Sequence, residues 1–584
     1  MKQLFTIFLL SIWVYSLPAQ QMYQHPVAQL LGSDMYRMPQ LNSGAYGYQG
    51  LGLTRFRETT NFLVNRNFQV YWLPFSPLTN GFGRYQLHFG HRGLLLSQAQ
   101  GQTDLSGGYG WQMKNDFFQS FGFQSRWRQQ QIDNNQDGFN DYQNGRQHLL
   151  VHNISYYDRG WSFSLHNSYL NSNRHQGQLG YNLEEHAGGD SLYGYGTNTQ
   201  QWRSYFMAEK RWSNNQFSII ANLQGHREDG HYGQREINNQ ENRQEVTAIY
   251  RHQKDDFQSQ ASFLFSRQEL AQQWDDWNDQ RDWHHIQFGG HHEQFIRGNL
   301  IAKAQVQVDY HNMTDWQVMP NLRFDYLGVK KLRFSLMGGR DYRLPRILEE
   351  QQAFLVSQRQ WLINTYGADR LWYGAASAQS DIYNIAGLRQ QLKLTYRVHH
   401  FNQLHLLDPS VDGLVTGKLL EDNIPIQQLL MATLQTQWNR LRWTSTYRFR
   451  DIPLPYQTGE QQQFLESTHS TFNGINYLRY GNHNEKQHWD LRFHHLWRSP
   501  QQLPNGTQSP HLHDLRLHLE TGRYLGGNRG NVVSLFVGVE NLLNQQQTDV
   551  FQNPDTPFGL GFDGSSTWGD PIGRRFYAGV RWKP

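Results

Sequence analysis

The chain has 584 residues and a nearly balanced charge, with 53 Lys and Arg against 49 Asp and Glu, and it contains no Cys. The absence of Cys excludes disulfides, thiolate metal sites and a lipid anchor on Cys, and the even spread of charge gives no basic stripe for binding nucleic acid. Aromatic residues make up 14% of the chain, which suits interfacial aromatic girdles, whereas the mean hydropathy of -0.76 excludes a helical membrane bundle.

The first 20 residues have the organisation of a secretory signal peptide. Lys2 supplies a short positive region, the apolar stretch LFTIFLLSIWVYSL follows, and PAQ places a small residue near a cleavage point. A single N-terminal helix anchor is the alternative, but the apolar stretch is short and poorly flanked for that role. We therefore predict that residues 1–20 are a signal peptide and that the protein is exported.

Residues 131–142, with the sequence QIDNNQDGFNDY, place oxygen-bearing side chains at alternate positions before a glycine. The candidate metal ligands are Asp133, Asn135, Asp137 and Asp141. Their spacing is that of the first part of an EF-hand loop, whose oxygen ligands converge on Ca²⁺. The twelfth position is Asn144 instead of a bidentate Glu, and neither flank has a helical pattern. The incomplete ligand set favours a plain turn at Gly138 that closes a hairpin, with a calcium site as the alternative.

Apolar and polar residues alternate with a period of two along much of the remaining chain. Clear examples are residues 161–170, 300–310, 429–450, 514–520 and 575–582. A transmembrane β-barrel has this pattern, because lipid-facing and lumen-facing side chains alternate along each strand. A soluble β-sandwich of this length would need several domains, and no linker rich in Pro, Ser and Gly separates them. We predict an all-β fold, a large antiparallel transmembrane β-barrel of the outer-membrane type.

Residues 429–450 predict a hairpin and the orientation of both its strands. Asn439 and Arg440 interrupt the alternation and form a two-residue turn. Leu434 lies on the apolar face, which we assign to lipid. Gln435 lies on the opposite face, which we assign to the lumen.

Three segments resemble stretches of one family, and they occur in that family's order. They are residues 133–141 (DNNQDGFND), 338–359 (GGRDYRLPRILEEQQAFLVSQR) and 538–582, which includes GVENLLN and FDGSSTWGDPIGR. The family is that of TonB-dependent outer-membrane receptors, especially those of Bacteroidota. The resemblance implies a barrel of about 22 strands over residues 56–584, ending in an aromatic strand. It also implies insertion into outer-membrane lipid by the β-barrel assembly machinery.

Members of this family place a globular plug and a TonB-binding box before the barrel. Residues 21–55 are predicted to form a short N-terminal segment, with neither a complete plug nor a TonB box. A barrel of about 22 strands has a wide lumen, which the family fills with the plug. We therefore expect a plug or a surface lipoprotein on another chain to bind this barrel.

Three functions are consistent with the resemblance. The first is a receptor barrel that takes up a scarce nutrient, such as a metal chelate, a vitamin-like cofactor, a peptide or a glycan. The second is a receptor-derived barrel that serves as a structural or interaction platform, and the third is a passive porin-like channel. We do not expect an enzyme, because the sequence has no Ser/His/Asp elbow, phosphate-binding loop or HExxH motif.

Overall fold

The structure is a computed structural model that describes much of the chain between residues 93 and 583. The residues of this span that are not described are 100–101, 114–116, 142–143, 255, 276, 297–298, 330–331, 344–357, 359, 363–367, 386, 409–413, 422–423, 425, 452–454, 459–460, 465–467, 480–486, 501–507, 525–531, 549–550, 560 and 564–572. The predicted signal peptide and the N-terminal segment 21–55 lie outside the described residues.

The regular structure of the described residues is almost entirely β-strand. The strands are β1 (Gly93–Ala99), β2 (Gln102–Met113), β3 (Phe117–Arg128), β4 (Asn144–Asp158), β5 (Trp161–Gly177), β6 (Gly194–Trp212), β7 (Asn215–Tyr232), β8 (Arg235–Gln253), β9 (Phe257–Trp274), β10 (Trp277–Ile296), β11 (Leu300–His311), β12 (Asp315–Val329), β13 (Leu332–Arg343), β14 (Gln360–Leu362), β15 (Asp369–Ile385), β16 (Leu388–Asp408), β17 (Leu414–Leu420), β18 (Gln427–Trp438), β19 (Leu441–Asp451), β20 (Pro455–Thr458), β21 (Gln461–Phe464), β22 (Thr468–Arg479), β23 (Gln487–Arg498), β24 (Leu512–Tyr524), β25 (Val532–Glu540) and β26 (Arg575–Lys583). A single helical turn, α1 (Leu183–His186), lies between β5 and β6. Among the residues that the structure describes, no helix has the length and hydropathy to cross a membrane.

Twenty-two of these strands form one antiparallel succession, in which each strand pairs with the next. The last strand, β26, pairs with the first, β1, from Leu94 opposite Trp582 to Ala99 opposite Tyr577. Strands β14 and β17 pair with each other beside this succession, and β20 and β21 form a separate hairpin. The large antiparallel barrel of about 22 strands predicted from the sequence is confirmed.

The hairpin predicted at residues 429–450 is formed by β18 and β19. Leu434 lies opposite Ser445, and Trp438 lies opposite Leu441, so that two residues make the turn. The first of them, Asn439, has a positive φ of 51°, which Asn accepts more readily than most residues. The alternation therefore predicted the two strands correctly, and the two-residue turn predicted their register.

Long and short connections lie at opposite ends of the barrel, because successive strands run in opposite directions. The connections at one end, including 159–160, 213–214 and 439–440, have at most seven residues. Between the strands that the structure describes, every connection of more than ten residues lies at the other end, which we call the long-loop end. This asymmetry is that of outer-membrane barrels, whose extracellular loops are long and whose periplasmic turns are short.

The two faces of each strand differ in polarity, as β8 illustrates. Glu241, Arg243 and Glu245 point inward and are at most 2% exposed. Val246 and Tyr250 point outward and are 45% and 43% exposed. Because successive side chains of a strand alternate between faces, the period of two in the sequence becomes a polar inner wall and an apolar outer surface.

Candidate functional site

The acidic loop lies at the long-loop end, where it connects β3 to β4. The Asp133 carboxylate accepts hydrogen bonds from the backbone N–H groups of Asp137 (3.2 Å) and Gly138 (3.0 Å). The Asp137 carboxylate accepts one from the Phe139 N–H at 2.9 Å and one from the Asn135 amide at 2.8 Å. These bonds, with Gly138 at a φ of 81°, hold a tight turn between two strands.

The fourth predicted ligand is attached to a different part of this loop. The Asp141 carboxylate accepts a hydrogen bond of 2.6 Å from the Asn134 N–H, and the Asp141 N–H donates to the Ile132 carbonyl at 2.7 Å. Burial raises the pKa of Asp137, and the charge of Asp133 adds to this effect. Of the four candidates, the structure thus brings Asp133, Asn135 and Asp137 together, while Asp141 closes the base of the loop.

The hydrogen bonds of the carboxylate oxygens in this loop fit a plain turn more closely than a calcium site. Each carboxylate oxygen of Asp133 and Asp137 already accepts an N–H hydrogen bond, and a cation would compete with these donors. Within the described residues, no group of three or more His, Asp and Glu side chains is arranged to hold a metal ion. Calcium binding by Asp133, Asn135, Asp137 and Asp141 stays the alternative prediction.

Removing calcium with a chelator is expected to leave the melting temperature of the purified protein unchanged. Asp137→Ala is expected to lower the melting temperature equally with and without calcium, because it deletes the hydrogen bond to the Phe139 N–H, worth about 1 kcal/mol. Thermal unfolding in excess calcium and in excess chelator would measure both effects. A calcium-dependent stabilisation of the parent protein that Asp137→Ala abolishes would establish the ion site instead.

An aromatic cluster joins the acidic loop to two other parts of the long-loop end. It consists of Phe139, Tyr193, Tyr195, Phe551 and Phe562, and every member is buried. The ring centroids of Phe139 and Phe551 are 4.3 Å apart, and those of Tyr193 and Phe562 are 4.6 Å apart. Contacts of this kind are worth about 0.5–1.5 kcal/mol beyond the area they bury. Sequence reasoning missed this cluster, because Phe139 and Tyr193 lie hundreds of residues from Phe551 and Phe562 in the chain.

Hydrogen bonds connect this aromatic cluster and the acidic loop to further parts of the long-loop end. The Asn135 amide donates to the Gln547 carbonyl at 3.4 Å. The Gln358 N–H donates to the Phe562 carbonyl at 3.2 Å, and the Arg235 guanidinium donates to the Gln358 carbonyl at 2.7 Å. Connections from four separate parts of the barrel are therefore tied together, which makes this end a candidate site for recognition of an incoming ligand.

The inner wall below this assembly carries paired charges. Arg243 and Glu245 are 2.5 Å apart, and Arg281 and Asp279 are 2.7 Å apart. The network at the last strands is larger, because Glu540 lies 3.1 Å from Arg575 and 3.7 Å from Arg516. Charges this deeply buried require partners, and their pairing keeps a polar surface on the inside of the barrel.

The segments that carry the family resemblance are described in part. Residues 344–357 and 359 of the segment 338–359 lie outside the described residues. In the C-terminal segment, Glu540 lies opposite Arg575 on the paired strands β25 and β26. Phe576 points outward and Tyr577 inward, so the alternation of residues 575–582 corresponds to the two faces of the last strand.

Comparison with known proteins relates this barrel to solved structures. No protein-family model and no curated protein matches the chain. The ferric enterobactin receptor of Pseudomonas aeruginosa matches 85% of this chain with 80% of its own, at a TM-score of 0.61 and 10% identity. The ferric preacinetobactin receptor of Acinetobacter baumannii matches 85% of this chain with 80% of its own, at a TM-score of 0.57 and 9% identity. This chain shares the fold of siderophore receptors.

A third match agrees with these two. The siderophore receptor PirA from Pseudomonas aeruginosa matches 84% of this chain with 80% of its own, at a TM-score of 0.55 and 8% identity. Likeness at such low identity is a likeness of fold, because one fold can carry different binding sites.

Proposed function

We propose that this protein is an outer-membrane receptor barrel that takes up a scarce nutrient and works with a plug or binding partner on another chain. The observation that carries the proposal is the barrel of 22 strands with an apolar outer surface, a polar inner wall and all of its longest connections at one end. Solved receptors for ferric siderophores share this fold over 85% of the chain. Uptake of a metal chelate, a vitamin-like cofactor, a peptide or a glycan would use the same architecture.

The polarity of the two faces supports placement in the outer membrane. Leu336, Phe576 and Trp316 point outward and are 58–60% exposed, which suits lipid better than water. Strands in lipid must also pair all of their backbone groups, and the pairing of β26 with β1 joins the two ends of the succession.

The inner wall supports a partner in the lumen. A barrel of about 22 strands has an interior wider than its own side chains can fill. Ion pairs such as Arg243–Glu245 make the inner wall polar, which suits a lumen that holds a polar protein domain better than one that holds an apolar ligand. A plug supplied by the partner would occupy that space and would complete the uptake machinery that the family resemblance implies.

Two other functions differ from this one in what they require of the lumen. A structural or interaction platform needs a closed barrel with no occupant from another chain. A passive porin-like channel needs an open lumen in every preparation. The tied connections at the long-loop end favour recognition over passive flow, because they hold loop side chains in fixed positions at the end where a ligand would enter.

Electrical recordings on the purified chain in planar bilayers are expected to separate these functions. The receptor hypothesis predicts a large unselective conductance for the chain alone. Adding the chain that co-purifies with it under native conditions is then expected to abolish this conductance. A silent recording without any co-purifying chain would support the platform and contradict the proposal. A conductance that stays open with and without the added chain would identify a porin.

A further inference from the structure

The connection between β5 and β6 folds back over the outside of the barrel. The Tyr181 ring packs against Gly177 and Gly194, which lie opposite each other on these strands. Leu183 of α1 covers Gly196, where an added Cβ would come within 2.6 Å of the Leu183 Cδ1 atom. Side chains at these positions would displace the connection, so the glycines allow its close approach. This part of the outer surface is covered by protein.

The outer surface changes from apolar to polar just below this covered region. A row of four paired residues, Phe123, Leu150, Tyr169 and Trp202, is exposed on the outer face. Toward the long-loop end, the next outward row contains Ser125, His148, Asn171 and Gln200, and the row after that contains Trp127, Arg146, Asn173 and Asn198. Arg146 is therefore four residues, or about 13 Å along a tilted strand, beyond the aromatic row. Aromatic rows of this kind mark the lipid–water interface.

A cavity of about 400 Å³ lies between this surface and the folded-back connection. Its lining includes Arg146, Asn173, His175, Asn144, Tyr181 and Glu184. Asn144 and Tyr181 are each 3% exposed, and their side-chain oxygens have no hydrogen-bond partner among the described residues. The Nδ1 atom of His175 is also buried without such a partner. Buried polar atoms left unpaired are costly, so a ligand that forms hydrogen bonds with them gains affinity.

We propose that this cavity binds the phosphorylated sugar headgroup of a glycolipid in the outer leaflet. The proposal rests on the proposed function, since it requires the barrel to span the outer membrane. Sugar hydroxyls can both donate and accept, which matches the unpaired atoms of Asn144, His175 and Tyr181.

The charge of the lining fits the phosphate of such a headgroup. Arg146 is exposed at the rim of the cavity, and Arg128 contributes a second guanidinium to the lining. Guanidinium groups bind phosphate through paired hydrogen bonds, and Glu184 on the rim can accept from sugar hydroxyls. The height of the cavity above the aromatic row places these groups among lipid headgroups.

Binding of a diphosphorylated lipid A to the purified full chain in detergent tests the proposal. Arg146→Gln is expected to weaken binding at least tenfold, because it removes a charge-assisted contact with phosphate. Tyr181→Phe is expected to weaken binding about fivefold, because it removes one hydroxyl and keeps the ring that packs on Gly194. The matched control is Arg159→Gln, in the turn of the same β4–β5 hairpin at the end opposite the long-loop end, where the Arg159 side chain is 92% exposed. It is expected to bind like the parent.

Soluble glucosamine 1-phosphate tests whether the cavity takes its phosphorylated sugar from a lipid headgroup or from a soluble compound. Competition by this compound with lipid A would support a headgroup site, whereas binding of the soluble compound without any binding of lipid A would overturn the glycolipid source. Equal lipid A binding by Arg146→Gln, Tyr181→Phe and the parent would overturn the cavity assignment while the proposed function stands. Recovery of the parent protein in a soluble fraction of cells would overturn both.

Discussion

Replacing Leu434 by Arg is expected to reduce the amount of folded barrel in the outer membrane severely. Leu434 lies in the middle of β18, between Leu392 of β16 and Ser445 of β19, on the face that carries the exposed Leu430 and Trp438. An Arg on the lipid face at the bilayer midplane costs about 2–4 kcal/mol. That is a large fraction of the stability of most folded proteins.

The neighbouring position provides the matched control. Gln435→Arg introduces the same charge one residue later, on the face that points to the lumen. It is expected to fold like the parent. The shift in electrophoretic migration between heated and unheated membrane samples measures the folded fraction of each variant. Equal amounts of folded protein for both variants would show that the two faces of β18 are assigned incorrectly.

Phe562→Ala is expected to detach the connections of the long-loop end from one another without unfolding the barrel. Phe562 is completely buried between Tyr193, Phe551 and Phe139, and truncation of a buried Phe costs about 3–5 kcal/mol. The strands have their own pairing and do not depend on this cluster. The loss should therefore appear as a local opening, confined to segments 129–141 and 541–563.

Limited proteolysis of the barrel in membranes, followed by mapping of the cleavage sites, would measure this opening. Phe562→Ala is expected to be cut in these two segments at least tenfold faster than the parent, while its heat-dependent migration stays normal. Leu543→Ala is the control, because Leu543 belongs to the same β25–β26 connection and is 54% exposed. Parent-like resistance of Phe562→Ala would show that the cluster does not hold these segments in place.

The sequence by itself determined the fold class and the faces of the strands. A strand places successive side chains on opposite faces, so the alternation around Leu434 and Gln435 specified which residue points outward. Asn439 and Arg440 specified the turn in the same local way. Asp133 and Gly138 likewise carried enough information for a turn between two early strands, because their hydrogen bonds are made within a few residues. Residues 1–20 and 21–55 remain predictions from the sequence.

Only the tertiary structure decided what the long-loop end is made of. Asn135 and Gln547 are 412 residues apart in the chain, and no local pattern indicates that the two segments meet. The cavity beside Tyr181 likewise depends on a connection that folds outward, over glycines whose lack of a Cβ permits contact but does not specify a partner. Periodicity describes the surroundings of a residue along its own strand. Contacts between distant connections follow from how the whole barrel brings its loops to one end, and the pattern of a single strand contains no information about that arrangement.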